Sequence, residues 1–436
     1  MTIEFRRLCG PKGCLSLACA LLVATSLGCT RGPQSNRIQS MMLEPARDAE
    51  RIGNYERALE LYQDVAEDGV VSAQYRVARF YEKGQGTPQN DAEAARWYEA
   101  AANAGETRAY APLARYYENG KGVPQDDVRA YELYLKAAAA GDASSAFKVA
   151  QFLEKGRAGK ADPAAAARYY QIAADGGDDN AQLTLGDLYR NGNGVAADPA
   201  AAERWYATAA ATAEAKARDG NVYAQDRLGQ LYLEGKGVPK DPKAGVNWLN
   251  TAAVNGYVWA QARLGRLFER GSSDVQANPE MARRYFEMAA AQGEANSMFA
   301  LGRLYAAGNG VARDGPRAAE LFQQSAAGGA TYAYAALGDL YAAGDGVPQD
   351  DAEALRWYKE GALHGEADAL LKLGEAYEAG RGVPQDPAGA LMWYLLAEQQ
   401  KNGRAGDRIE RLTAELDAAD VSRAEDLAEA WRRGNL

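Results

Sequence analysis

Cysteine stops at residue 29. The chain's four are Cys9, Cys14, Cys19 and Cys29, so everything that follows lacks disulfides, thiolate metal ligands and cysteine nucleophiles. Histidine is almost absent. The single one, His364, stands beside Gly365 at an expected helix end, where the helix dipole accommodates an imidazole. Without a second histidine, neither imidazole–thiolate catalysis nor the usual zinc ligand sets can be assembled. Cationic charge is in deficit as well: 49 Lys and Arg against 59 Asp and Glu give a net charge of −10. That leaves no broad basic footprint for nucleic acid and no basic amphipathic face for anionic lipid. With 46 Gly but only 15 Pro and 25% charged residues, the composition is neither collagenous nor that of a disordered tail. Carboxylates are numerous, yet Asp126, Asp198, Asp241, Asp350 and Asp386 recur with a fixed period and read as helix caps. A catalytic carboxylate would be an exception to the period, set in a closed pocket. The Gly-x-Gly strings follow expected helices rather than strands, which argues against a dinucleotide site. The expectation is a protein that is not an enzyme, with no catalytic, cofactor-binding or metal-binding residues, no cofactor and no small-molecule substrate.

The N-terminal residues read as an export signal. Arg6, Arg7 and Lys12 precede an apolar run from Cys14 to Leu27, too short for a comfortable membrane span. Ser26-Leu27-Gly28-Cys29 resembles the lipobox of bacterial lipoproteins, although Ser26 stands three places before the cysteine and the leucine one place later than usual. The resemblance implies a signal peptide over 1–28 and lipidation of Cys29, palmitate-type chains included; an ordinary cleaved signal and an uncleaved anchor are the alternatives. Several acyl chains hold a protein stably where one holds it only reversibly. By resemblance to Gram-negative lipoproteins, Thr30 in place of an aspartate implies the outer membrane, and the expected orientation is toward the periplasm. Residues 29–43 read as the lipidated cysteine and a tether.

Internal repetition is the dominant signal. Gly84, Gly120, Gly156, Gly192, Gly235, Gly271, Gly308, Gly344 and Gly380 recur at intervals of 36, 36, 36, 43, 36, 37, 36 and 36. In the same register lie Trp97, Leu133, Tyr169, Trp205, Trp248, Tyr285, Leu321, Trp357 and Trp393. A third, mostly aromatic column runs Tyr81, Tyr117, Leu153, Tyr189, Tyr232, Phe268, Tyr305, Tyr341 and Tyr377. A fourth, beginning at Ala78 and ending at Gly374, holds only Ala or Gly. Glycine inside a helix costs about 1 kcal/mol relative to alanine, so this column points to close helix approach with an aromatic side chain in the space.

One unit shows the construction. The first helix carries Leu337, Gly338 and Tyr341. Gly344 takes the left-handed C-terminal cap, Gly346 permits the turn, and Val347 dips into the core before Pro348. Asp350 then caps the second helix, with Glu353 completing a capping box. Ala354, Trp357, Tyr358 and Ala362 form that helix's packing side. Neither helix hides its apolar face alone, so each hairpin must stack on the next.

The stretch ALGDLYAAGDGVPQDDAEALRWYKEGALHG, from Ala336 to Gly365, resembles the Sel-like repeat family, relatives of the tetratricopeptide repeat, and the resemblance covers residues 70–403 as nine units. It implies an all-α helix-turn-helix repeat solenoid, a right-handed superhelix by analogy with related arrays. A TPR-like hairpin over 44–69, with Ala58, Leu61, Tyr62 and Val65 on its second helix, caps the front. Helices over 404–418 and 422–433 cap the back within 404–436, the second begun by a Ser422–Glu425 capping box. The turns from Gly156 and Gly271 depart from the pattern. The fourth unit carries seven extra residues within Ala207–Gly220, which preserve the apolar face if they prolong the helix by about 10 Å. They are either a tolerated insertion or a protruding contact element.

Paired-helix solenoids present a long groove lined by first helices, where aromatic and charged residues hold a peptide or a folded protein. Tyr75, Tyr110, Phe147, Tyr332 and Tyr334 vary around the constant columns and are the binding candidates. The expected function is a protein-interaction scaffold in the bacterial envelope, its partners an outer-membrane porin or a periplasmic complex, with the membrane reached through lipid and no nucleic acid. Among Sel-like and TPR-like lipoproteins, the architecture is similar to the periplasmic scaffold of alginate-type exopolysaccharide secretion. Other expectations are a scaffold for cell-wall or other secretion machinery, and a surface factor engaging host proteins.

Overall fold

The computed structural model describes residues 33–434, which form helices without a single strand. The export signal, Cys29 and residues 30–32 lie outside the described residues. The first helix, Pro33–Arg51, starts well before residue 44, so residues 33–43, read as tether, are helical and Leu43 is buried. With Tyr55–Glu67 it makes the expected N-terminal hairpin. Nine hairpins follow, their helices nearly all 13 residues long, from Val71–Lys83 with Asp91–Asn103 to Ala367–Ala379 with Pro387–Gln399. The first and second helices of each are called A and B below.

Each A helix but one ends in a left-handed glycine, from Gly84 with φ 63° to Gly380 with φ 68°. The chain then returns so that the N–H of each B-helix cap donates to the carbonyl of the third column: Asn90 to Tyr81, Asp198 to Tyr189, Asp350 to Tyr341. The cap side chain accepts from the first turn, Asp350 from the N–H groups of Ala352 and Glu353 at 3.0 Å. The capping box is therefore only half made. Asp350 N–H already has the Tyr341 carbonyl, and the Glu353 carboxylate turns to Arg356. Val347 is half-buried as expected.

The second glycine of the turn does more than bend the chain. A Cβ on Gly122 would stand 2.3 Å from the carbonyl carbon of Asp91, and one on Gly382 2.6 Å from the carbonyl oxygen of Asp351. Asp91 and Asp351 each begin the B helix of the preceding repeat. These turns, like those of Gly86, Gly194, Gly310 and Gly346, thus rest on the neighbouring backbone. The two departing turns use ion pairs to the preceding repeat instead: Arg157 reaches Asp127 at 2.6 Å, and Asp274 reaches Lys240 at 2.7 Å. The second of these turns, with Ser273 in the glycine register, leaves a cavity of about 530 Å³ floored by Val246 and Phe268.

The deepest column lies one residue beyond the tryptophan column. Tyr98, Tyr134, Tyr170, Tyr206, Leu249, Phe286, Phe322, Tyr358 and Tyr394 are all buried, whereas Tyr169, Trp205, Trp248 and Trp357 are only half-buried. These rings fill the space over the small-residue column. A Cβ on Gly186 would fall 2.3 Å from the Tyr206 ring, and one on Gly338 2.3 Å from that of Tyr358. Every tyrosine hydroxyl in the column donates to a carboxylate on the A helix: Tyr98 to Glu82 at 2.6 Å, Tyr134 to Glu118 at 2.7 Å, Tyr358 to Asp339 at 2.7 Å. A buried hydroxyl without such a partner would be costly.

The array divides into two compact units at Ala209–Ala210. The boundary falls inside B of the fourth repeat, Pro199–Arg218, which absorbs the extra residues as continuous helix. Ala210, Ala213 and Ala217 on the added turns are buried, so the extension packs and does not stand out as a contact element. At the back, Gly406–Glu415 is followed by Ala418–Arg432, capped by Asp417 through the N–H of Asp420. Ser422 therefore sits inside the last helix and caps nothing, because Asp417 offers its carboxylate one turn earlier. Trp431 closes on Trp393, ring centroids 4.9 Å apart.

Two outcomes follow from this core. Gly338→Ala gains helix propensity yet drives a methyl group into the Tyr358 ring, so it should destabilise by about 1–3 kcal/mol in urea unfolding; a rise in the midpoint would contradict the packing. Burial first, and the neighbouring carboxylate second, raise Tyr98, Tyr134 and Tyr358 above the ordinary value. Their contribution to stability is complete below a pH of about 10 and is lost as pH rises past it. Tyrosinate absorbance from these residues should then appear together with alkaline unfolding, not before it.

Candidate protein-binding face

Three positions of each A helix, spaced i, i+4 and i+7, lie outside the core columns on one face. In the second compact unit they are Tyr223, Arg227 and Gln230 on Val222–Glu234, then Trp259, Arg263 and Arg266 on Val258–Arg270. Ala295–Ala307 continues with Asn296, Ala300 and Arg303. The first position of this trio is polar in the first four repeats: Ser72, Arg108, Ser144 and Asn180. Tyr223 and Trp259 break that pattern, and they are 67% and 52% exposed. Tyr332, in the same register three repeats after Tyr223, is 38% exposed; its hydroxyl donates to Asn296 and its ring meets Phe299 edge-on at 4.6 Å.

Two further exceptions sit beside Tyr223 and Trp259. Six A helices are capped at the N-terminus by a carboxylate or amide, among them Glu106, Asp142 and Asn221. Tyr257 occupies that place on Val258–Arg270 and makes no side-chain cap, which forgoes about 1 kcal/mol. It meets the Tyr223 ring edge-to-face at 4.9 Å. Asp226 takes a register that holds Tyr75, Phe147, Phe299 and Leu371 elsewhere, and it is only 6% exposed. Its carboxylate accepts from Arg263 Nε at 3.1 Å and Gln230 Nε2 at 2.6 Å. Burial raises the Tyr257 hydroxyl above its ordinary value, and Asp226 adds to the rise while Arg263 and Arg227 oppose it. The phenol stays neutral under ordinary conditions. Local breaks in an otherwise consistent sequence mark functional or strained sites, and Trp, Tyr and Arg are the residues that dominate binding energies at interfaces.

The sequence candidates divide. Tyr75 and Phe147 pack on the buried Tyr98 and Tyr170, at 5.8 and 5.4 Å between ring centroids. Tyr110 lies under Lys136, and Tyr334 stacks on His364 at 5.3 Å and on Trp357 at 6.3 Å. These two share a register with Gln182, Gln225 and Gln261, whose amides donate to the last turn of the preceding B helix. Four of the five are thus packing residues, and Tyr332 alone is exposed. His364 caps Asp351–Leu363 at the helix end foreseen for it. Sequence reasoning missed Tyr223 and Trp259. Their signal was present, as aromatic residues in a polar register, but the constant columns drew attention instead.

Comparison with known proteins follows the same periodicity. Nine segments match the Sel1 repeat: 71–106, 107–142, 143–178, 179–211, 222–257, 260–294, 295–329, 331–366 and 367–402. The gap between 211 and 222 falls on the lengthened helix. No curated protein matches the chain. Among solved structures, a protective antigen of uropathogenic Escherichia coli with an SLR fold is 29% identical, covering 87% of this chain and 82% of its own, with a TM-score of 0.49. A Sel1 repeat protein of Oxalobacter formigenes is 30% identical over 57% of this chain and 99% of its own, TM-score 0.48. An immunity protein of Pseudomonas aeruginosa is 20% identical over 51% and 81%, TM-score 0.34.

If Trp259 serves binding rather than packing, Trp259→Ala should leave the urea midpoint within about 0.5 kcal/mol of the parent. Trp393→Ala, which empties a buried contact, should cost about 3–5 kcal/mol. Equal losses in the two variants would show Trp259 to be structural.

Proposed function

Because the chain belongs to the Sel1 repeat family, whose members are generally protein-interaction scaffolds, we propose that it is a non-catalytic scaffold of the bacterial envelope that assembles a complex through the exposed A-helix face of its second unit. The observation that carries this reading is the cluster of Tyr223, Asp226, Tyr257 and Trp259, four departures from the repeat on neighbouring helices. A repeat array needs none of them to fold: most equivalent positions elsewhere hold a polar surface residue, an apolar core residue or a capping side chain. Scaffolding also suits a chain whose periodic aspartates cap helices and whose A-helix carboxylates accept from buried tyrosine hydroxyls.

The finer reading places the scaffold at the outer membrane, held by lipid on Cys29 and facing the periplasm. There it would localise an outer-membrane porin or a periplasmic complex, with exopolysaccharide secretion as the pathway. The lipobox-like Ser26–Cys29 and the export signal before it support the anchor. Among the described residues no helix is long and apolar enough to cross a membrane. The pathway rests on similarity of architecture alone.

Crosslinking from membranes, followed by recovery of the chain, tests both parts. A discrete envelope protein should crosslink to the parent chain and be lost with the Tyr223→Ala, Trp259→Ala double variant; undiminished crosslinking would remove the face from the proposal. Recovery of a barrel porin favours the secretion reading, and recovery of cell-wall enzymes or host proteins replaces it. Cys29→Ala should lose the lipid mass and shift the chain out of the membrane fraction. An unchanged mass and partition would defeat the anchor.

A further inference from the structure

We propose that the first helix, Pro33–Arg51, lies along the lipid surface itself, with Ile38, Met41 and Ile52 seated among the headgroups. This rests on the anchor reading above and adds what the folded protein does with the bilayer once attached.

Exposed apolar side chains are ordinary where they stand singly. At the front of the array they gather. Ile38, Met41 and Ile52 are each more than half exposed and Tyr55 more than a third. Among the described residues no other stretch of that length holds more than two exposed large apolar side chains. Ile38, Met41 and Pro45 follow at i, i+3 and i+7 and so share one side of the helix; Pro45 is exposed as well. Ile52 N–H still donates to the Asp48 carbonyl at 3.1 Å, which carries the helical ladder, and the stripe with it, past the last turn. Leu43, Ala46 and Ala49 on the adjoining side are buried. The helix is thus apolar over a wider arc than the repeats cover, while Arg47 and Ser40 meet on the side away from the stripe.

The covalent path names the occupant of that bare arc. Three residues separate Cys29 from Pro33. Even fully extended, the four residue steps between them span about 14 Å, so acyl chains on Cys29 bring the start of the helix to the bilayer. Ile38 and Met41 stand only about 8 and 12 Å further along the helix axis. The lipid surface is then the nearest one to the stripe.

Charge does not oppose the approach. The chain carries a net charge of −10, yet residues 30–43 contain Arg31 and Arg37 and no Asp or Glu. A helix with one apolar side settles at the boundary of headgroup and acyl chain, and arginines beside it are drawn to anionic lipid.

Residues 30–436 contain no cysteine, so a single introduced cysteine carries a probe alone once Cys29 is acylated. The full chain with Ile38→Cys, Met41→Cys, Ile52→Cys or Arg47→Cys is purified from membranes and labelled with an environment-sensitive dye. It is then reconstituted into vesicles of phosphatidylethanolamine and phosphatidylglycerol. Labels at positions 38, 41 and 52 should emit to the blue, be quenched by spin-labelled lipid, and resist aqueous iodide several-fold better than the label at 47. Adding Ile38→Glu and Met41→Glu should open the label at 52 to iodide while the thermal melt stays that of the parent, since both residues are exposed. Labels at 38 and 41 as open to iodide as that at 47 would overturn the seat. So would blue emission that spin-labelled lipid leaves untouched, which identifies a protein occupant such as a second copy. Mass spectrometry of the same samples separates this inference from the anchor. Acyl mass together with iodide-accessible labels keeps the anchor and removes the seat, and absence of acyl mass removes both.

Discussion

Each hairpin closes on a large apolar side chain, a ring in all but the fifth repeat, pressed against a small residue of the facing helix. The B helix inserts Tyr, Phe or Leu where the A helix offers Gly or Ala, at distances that would not admit a Cβ beside Tyr206, Phe286 or Tyr358. Such contact holds the two helices closer than larger residues would allow, and dispersion is gained over the whole ring face. The helix-propensity cost of the glycines, about 1 kcal/mol each, is offset by burying an aromatic side chain at about 25 cal/mol per Å². Other features follow from that choice. A tyrosine driven so deep needs an acceptor, hence Glu82, Glu118, Asp187 and Asp339. Where the column turns to Leu249, Phe286 or Phe322, the hydroxyl goes with it.

Most of this architecture was legible in the sequence because repetition displays the same solution nine times. Helix pairs, left-handed glycines, aspartate caps and the small-residue column all read directly from spacing. The ring over that column was foreseen as aromatic, but its register was not. The tryptophan column looks like the core on size alone, while the column one residue later faces the partner helix more squarely. The half-made capping box at Asp350 was equally hidden, since the competing acceptor, the Tyr341 carbonyl, is brought there only by the folded turn. Ser422 misled for a related reason: S-x-x-E is a local pattern, and Asp417 won the cap from one turn upstream.

The candidate site was harder to read because it consists of exceptions. Tyr223 and Trp259 are unremarkable aromatics in a chain with 25 Tyr and 7 Trp until their register is seen to be polar elsewhere. Asp226 announces nothing until burial and Arg263 give it a task. Tyr75 and Phe147, which vary in an inviting way along the sequence, turn inward to support Tyr98 and Tyr170. Variation among repeats therefore has two sources here: repacking of the interior, and display. Only exposure separates them.

The glycine that closes most turns against the start of the neighbouring B helix has a bearing on how such a chain grows and shrinks. Recombination that adds or deletes one whole period leaves the same join behind, glycine against bare backbone, whichever repeats become adjacent. The turns at Arg157 and Asp274 lack that interchangeability. Each recognises a particular side chain, Asp127 or Lys240, in the repeat before it. Together with Asp345 and Arg313 in the eighth and seventh repeats, these are matched neighbours in the series, and they mark where one repeat exchanges only along with the repeat before it.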